Sequence, residues 1–127
     1  MLRSDGSPIR DFLYVEDAAR AYLAIADSLD RDDVRGEAFN AGGERPYSVG
    51  EVVELIARAA GTGVEPDIQG SGNPDGEIDR QFLDATKIRE RCGWSPEVGL
   101  EEGVGRTIEW YRDHPAVRPD ESVADRG

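Results

Sequence analysis

Arg10, Asn40 and Arg80 are the residues whose types and settings could do chemistry, and that chemistry is capture of an anion rather than bond making. Arg10 stands between Ile9 and Phe12 in a segment of extended character, where half-burial is expected. A buried guanidinium without a partner is costly, so it calls for an anion. A diphosphate would serve, gripped bidentately. So would a nearby carboxylate, Asp11 or Asp17 among them, and both readings stay open. Asn40 ends a second extended piece just before Gly42-Gly43. Its amide could donate to a ligand oxygen at the end of a strand or hold its own turn. Arg80 follows a turn-rich loop and is either a second anion contact or half of a surface salt bridge.

The other chemistry-bearing residues point away from catalysis. Gly70-Ser71-Gly72-Asn73-Pro74-Asp75-Gly76-Glu77 has glycines at the wrong spacing for a dinucleotide fingerprint, and no capped helix follows at once. It reads as a loop. His114 is the only histidine and falls at a helix C-terminus, where its charge suits the dipole. Cys92 is the only cysteine, so no intramolecular disulfide and no thiolate metal cluster is expected. Tyr14, Tyr22, Tyr47 and Tyr111 are followed four residues on by Ala18, Ala26, Glu51 and Pro115, never by lysine. No catalytic, cofactor-binding or metal-binding residue is assigned. Tyr14, Tyr22, Trp94 and Trp110 read as packing aromatics, with ligand contact as the alternative for the two tyrosines and a hinge role for the tryptophans.

The elements that must position these residues are short. Residues 8–15 have strand character, after the turn residues Ser4, Asp5, Gly6 and Ser7. A helix is predicted from Asp17, with Ala18, Tyr22, Ile25 and Leu29 at helical spacing and Glu16 and Asp17 at its N-terminal end. A charged loop over 30–36 leads to a short strand over 37–41. Ser48 and Glu51 form a capping box. The helix it opens carries Val49, Val52, Val53, Ile56 and Ala60 on one face and stops at Gly61. Residues 64–69 and 80–83 are predicted as extended pieces. Asp84 caps a short helix with Ile88 and Cys92, ended by Gly93. A last helix over 101–114 turns Val104, Ile108 and Tyr111 inward. The polar stretch 115–127 reads as a frayed tail. The fold class is therefore α/β, short strands with about four helices.

Composition narrows the partners. A net charge of -12 over 127 residues is repelled by nucleic acid and by anionic membranes, so neither is expected as a partner. The acidity is spread along the chain and reads as solvation. One lysine stands against fourteen arginines. No apolar run approaches the ~20 residues of a membrane span, no apolar signal region opens the chain, and lone Cys92 fits a cytoplasmic location.

Taken in order, the phrases resemble extended short-chain dehydrogenases/reductases, the NAD-dependent epimerase/dehydratase family, and most nearly the CDP-glucose 4,6-dehydratase branch. The phrases are Arg3-Ser4-Asp5-Gly6-Ser7-Pro8-Ile9-Arg10-Asp11 with Tyr14-Val15-Glu16-Asp17-Ala18, and Gly36-Glu37-Ala38-Phe39-Asn40. They continue with Glu77-Ile78-Asp79-Arg80-Gln81-Phe82-Leu83-Asp84, then Trp94-Ser95-Pro96 before Leu100-Glu101-Glu102-Gly103. The resemblance covers residues 3 to 113 and implies the C-terminal portion of such an enzyme, with the Rossmann half missing. In the family that half binds NAD, which takes hydride from C4 of the sugar. Water then leaves across C5–C6 and hydride returns at C6.

By resemblance, Arg10 matches the arginine that holds the substrate phosphates, and Asn40 an asparagine facing the same phosphates. Glu77 and Arg80 fall where the substrate-contacting loop returns. Residues 1–114 are thus expected to be the substrate-binding portion, with 115–127 as its tail. The expected ligand is a nucleotide diphosphate sugar, and the expected protein partner is the Rossmann half or another copy of the chain. NAD is expected in the whole enzyme, a lyase or isomerase, and not on this portion. The rival expectation is a free-standing nucleotide-sugar binding or interaction module without catalysis.

Overall fold

A computed structural model of the protein describes residues 2, 4–63, 65–71, 76 and 78–115. Six elements follow in chain order: β1 (Ile9–Asp11), α1 (Val15–Asp27), β2 (Pro46–Ser48), α2 (Val49–Ala60), α3 (Thr86–Cys92) and α4 (Leu100–Asp113). The class is α/β, as expected. β1 pairs antiparallel with β2, with Ile9 opposite Ser48, Arg10 opposite Tyr47 and Asp11 opposite Pro46. On its other edge β1 makes a parallel bridge between Ile9 and Arg80. Leu2 makes a second parallel bridge, to Ile68.

The helices pack as two pairs, α1 on α3 and α2 on α4. The first pair encloses Ala21, Ala85, Ile88 and Trp94, with Leu13, Ile25, Phe39 and Cys92 packed around them. Ile88 is completely buried there. In the second pair Val52 and Leu55 are buried on α2. Gly103 lets α4 come close to Tyr14, because a Cβ at that position would lie 3.1 Å from Tyr14 Cδ2.

Local chemistry explains the helix ends. Ser48 Oγ accepts the Glu51 amide at 3.1 Å, and Glu51 Oε2 accepts the Ser48 amide at 2.7 Å, so the capping box starts α2. Gly61 and Gly93 stop α2 and α3 in the left-handed conformation that glycine tolerates. Asp84 Oδ1 accepts the Thr86 amide at 2.8 Å at the head of α3.

Several expectations need correction. The strand expected over 8–15 is only β1, and α1 begins two residues early, at Val15. Residues 37–41 form no ladder with any described residue, because no neighbouring strand stands beside them to take their hydrogen bonds. The extended piece expected over 64–69 pairs only at Ile68, and Val64 lies outside the described residues.

The inward face of α1 carries Asp17 and Ala21, not Tyr22 and Leu29, which are 78 % and 48 % exposed. Apolar periodicity misreads this helix because it is apolar on two sides and its buried anchor is a carboxylate. Trp110 and Tyr111 are likewise about half exposed rather than internal. The polar tail falls beyond the described residues from position 116 onward.

Candidate functional site

β1 is the centre of the site. Its backbone continues a short parallel ladder with the segment that follows the loop: the Ile9 amide donates to the Asp79 carbonyl at 2.8 Å, and the Gln81 amide to the Ile9 carbonyl at 3.0 Å. Arg10 and Arg80 therefore sit on adjoining extended segments. The half-buried Arg10 guanidinium is anchored through Nη1, which donates to the carbonyls of Ile78 at 2.7 Å and Ile9 at 2.9 Å. Asp17 pairs with Arg20, and Asp11 accepts the amides of Gly43 and Leu83. Arg80 is exposed, its guanidinium 6.0 Å from the Phe82 ring.

Asn40 does not hold its own turn. Its amide reaches across to the Asp84 carbonyl at 3.5 Å and is exposed. It joins Arg10 and Arg80 only through the residues between them: Asp11 ties β1 to Gly43 on Asn40's side and to Leu83 on Arg80's side. Glu77 lies outside the described residues.

Sequence reasoning passed over Asp11, reading it only as a counter-charge for Arg10. It also passed over Glu44, which adopts a left-handed backbone, φ 62°, directly after the glycine pair and pairs with Arg89 at 2.5 Å. The glycine pair after Asn40 held the clue. A Cβ at Gly42 would overlap the Asp11 carboxylate, and one at Gly43 would overlap the Phe12 carbonyl.

A concavity of about 570 Å³ lies apart from these residues, between Tyr14 and the α2–α4 pair. Its walls include Phe12, Val52, Ile56, Val104 and Ile108. They are apolar and unsuited to a diphosphate. Tyr14 packs there against Gly103, under the Arg106 guanidinium at 5.7 Å. Tyr22 is exposed and does not line this concavity.

Trp94 is buried and donates its indole N–H to the Asp17 carbonyl at 3.1 Å. Cys92 is a half-buried free thiol beside the first core. His114 stacks on Trp110 with ring centroids 4.3 Å apart. Among the described residues no three His, Cys, Asp or Glu side chains gather to hold a metal ion, and no helix is long and apolar enough to cross a membrane.

Among the described residues, no long helix offers an open N-terminus for the diphosphate of a dinucleotide. That ligand's diphosphate is usually seated on an uncrowded helix N-terminus after a parallel strand. Here each long helix begins with its own carboxylates: Glu16 and Asp17 on α1, Glu51 on α2, Glu101 and Glu102 on α4. Their charges occupy the positive end of the dipole that a diphosphate would need.

Comparison with known proteins places this arrangement. The family model for GDP-mannose 4,6 dehydratase matches residues 2–107. The UDP-glucose 4-epimerase of Mycolicibacterium smegmatis is 34 % identical over 111 residues, covering 86 % of this chain and 33 % of its own. A solved UDP-glucose 4-epimerase of Thermotoga maritima, with UDP-glucose, superimposes with a TM-score of 0.75 at 32 % identity over 90 % of this chain and 35 % of its own. The dTDP-glucose 4,6-dehydratase of Bacillus anthracis, solved in complex with NAD, gives 0.71 at 29 % identity over 91 % and 35 %. The chain thus spans about one third of the length of these relatives. With the family match running through nearly all the described elements, the chain belongs to the GDP-mannose 4,6 dehydratase family of NAD-dependent epimerases and dehydratases.

Proposed function

We propose that this chain supplies the lobe that binds the nucleotide diphosphate sugar in an NAD-dependent 4,6-dehydratase or epimerase. The observation that carries this reading is the Ile9–Arg80 bridge, which sets two arginines on adjoining extended segments, with Asn40 tied in through Asp11 and Asp84. Arg10 and Arg80 take the diphosphate, and Asn40 donates to one of its oxygens. Glu77 is assigned to the sugar side by resemblance to the family. The relatives that bind UDP-glucose and NAD support both the ligand class and a cofactor held by the rest of the enzyme. Within the family the motif phrases favour the CDP-glucose 4,6-dehydratase branch, and the location is cytoplasmic.

Catalysis then belongs to the assembled enzyme. NAD held by the remaining portion supplies hydride transfer, and the residues of this chain bind and orient the substrate. The surface for that remaining portion is an exposed apolar stripe on α1. Val15, Tyr22 and Leu23 are 70 %, 78 % and 64 % exposed and, with Ala19, recur at helical spacing. Exposed apolar faces of this kind mark interaction surfaces. Residues 37–41 form no ladder with any described residue, and an edge of this kind can take a neighbouring strand.

Calorimetric titration of the chain with UDP-glucose, dTDP-glucose, CDP-glucose and GDP-mannose tests the reading. Saturable binding that requires the diphosphate, with CDP-glucose preferred, is expected. No binding to any of the four would refute it. A preference for another base would refute only the branch.

A further inference from the structure

Asp11 has no role in the account so far beyond its hydrogen bonds, yet it touches every segment of the candidate site. The backbone ladder between β1 and residues 79–81 runs from the Ile9 amide to the Asp79 carbonyl, then from the Gln81 amide to the Ile9 carbonyl. In a parallel pair the next rung would bring the Leu83 amide to the backbone carbonyl of Asp11. Here Leu83 donates instead to Asp11 Oδ2 at 3.0 Å, so the side chain takes over the ladder where the strand ends. The other carboxylate oxygen, Oδ1, accepts the Gly43 amide at 2.7 Å.

One carboxylate therefore binds two backbone segments from opposite sides, and bonds to an ionised acceptor are the stronger kind. The room for it is built in, since a side chain on Gly42 would displace the Asp11 carboxylate. On the far side of the same turn, Glu44 is held in its left-handed conformation with Arg89 as its ion-pair partner.

We propose that Asp11 is the positioning residue of the anion site: it holds the Arg80 segment in register on β1, with Arg80 opposite Ile9, and shapes the turn that follows Asn40. This rests on the diphosphate reading given above. An asparagine cannot replace it, because only one of its two side-chain heads accepts and the other would face an amide donor. Asp11 is only half-buried and lies outside the Ala21–Ile88–Trp94 core. Its loss therefore falls on ligand affinity more than on folding.

The test titrates UDP into the wild-type chain, Asp11→Asn and Arg10→Ala, with the melting midpoint of each. Asp11→Asn is expected to weaken UDP about tenfold, the equivalent of one charge-assisted hydrogen bond, while melting within a few degrees of wild type. In the wild-type chain, UDP should slow hydrogen exchange at the Gly43 and Leu83 amides, a readout that needs no variant to fold. Weakened UDP binding by Arg10→Ala together with wild-type binding by Asp11→Asn would overturn the positioning role alone. So would a drop in melting midpoint without a change in affinity, or unchanged exchange at both amides in the presence of UDP. If the wild-type chain binds no UDP, or Arg10→Ala binds it as wild type does, the diphosphate reading fails and the proposal with it.

Discussion

Two aspartates fasten distant pieces of this chain, and they do so at different depths. Asp17 is fully buried. It accepts the Val98 amide at 2.9 Å and the Glu97 amide at 3.2 Å, pairs with Arg20, and offers its own carbonyl to the Trp94 indole. Arg20 in turn reaches Glu97 at 2.5 Å. Asp11 is half-buried, and the segments it joins are those carrying the candidate ligand contacts. The first carboxylate is surrounded on all sides by its own chain, with its counter-charge supplied. The second stands at the end of β1, next to Arg10 in the chain and bound to the segments that carry Asn40 and Arg80. The comparison teaches that one residue type can hold the fold in one place and tune a site in another, with burial deciding between them.

The largest expected effect lies at the deep end. Asp17→Ala strands two amides and takes Arg20's buried partner, a loss of about 3–4 kcal/mol in chemical denaturation. A loss below about 1 kcal/mol would erase the contrast with Asp11. Trp94→Phe keeps most of the buried ring but drops the indole donor. It should cost about 1–2 kcal/mol by the same measurement, through the orphaned Asp17 carbonyl and lost packing.

Acid should expose the same difference. Burial opposes the charge on Asp17, but the Arg20 guanidinium and the Val98 and Glu97 amides outweigh it, so its pKa is lowered from 3.8. A folded-state pKa below the unfolded value means that the stabilisation is fully present above about pH 4 and is lost as pH falls through the folded value. Stability measured from pH 6 downward should decline below about pH 4 in the wild type, and the decline should be shallower in Asp17→Asn. Equal slopes would remove Asp17 as the cause.

The smallest effects lie on the surface. Ser48→Ala removes one limb of the α2 capping box and should cost about 1 kcal/mol. Tyr22→Glu, on the exposed stripe of α1, should change the melting of the chain alone by no more than about 0.5 kcal/mol. If it were strongly destabilising, the stripe would be packed internally and could not serve as a surface for the rest of the enzyme.

Much of this was legible in the residues. The Ser48–Glu51 box and the stops at Gly61 and Gly93 depend on neighbours in sequence, and local chemistry predicts them well; at α3 the N-cap falls on Ala85, with Asp84 one residue before it accepting the Thr86 amide. What escaped depends on partners far along the chain. Asp17 reads as an ordinary acidic residue in a first turn because its amide donors lie 80 and 81 positions away. Asp11 reads as a counter-charge for its neighbour because Leu83 is 72 positions on. Residues 37–41 carry the pattern of a strand, but a strand needs a neighbour, and none of the described segments stands beside it. The two-sided apolar character of α1 hid its inward face for the same reason: periodicity reports which faces are apolar, not which face this chain itself covers.

The central claim is that Arg10 serves a diphosphate rather than the fold. The most direct measurement compares Arg10→Ala with wild type in one preparation, recording both melting midpoint and UDP-glucose affinity at low and high salt. The account predicts an affinity loss of about 1.5–3 kcal/mol, the worth of a hydrogen bond to a charged group, against about 0.5–1.5 kcal/mol for Asn40→Ala as a neutral donor. The Arg10 loss should shrink in high salt, because the contact is ionic. A fall in melting midpoint with unchanged UDP-glucose affinity would contradict it.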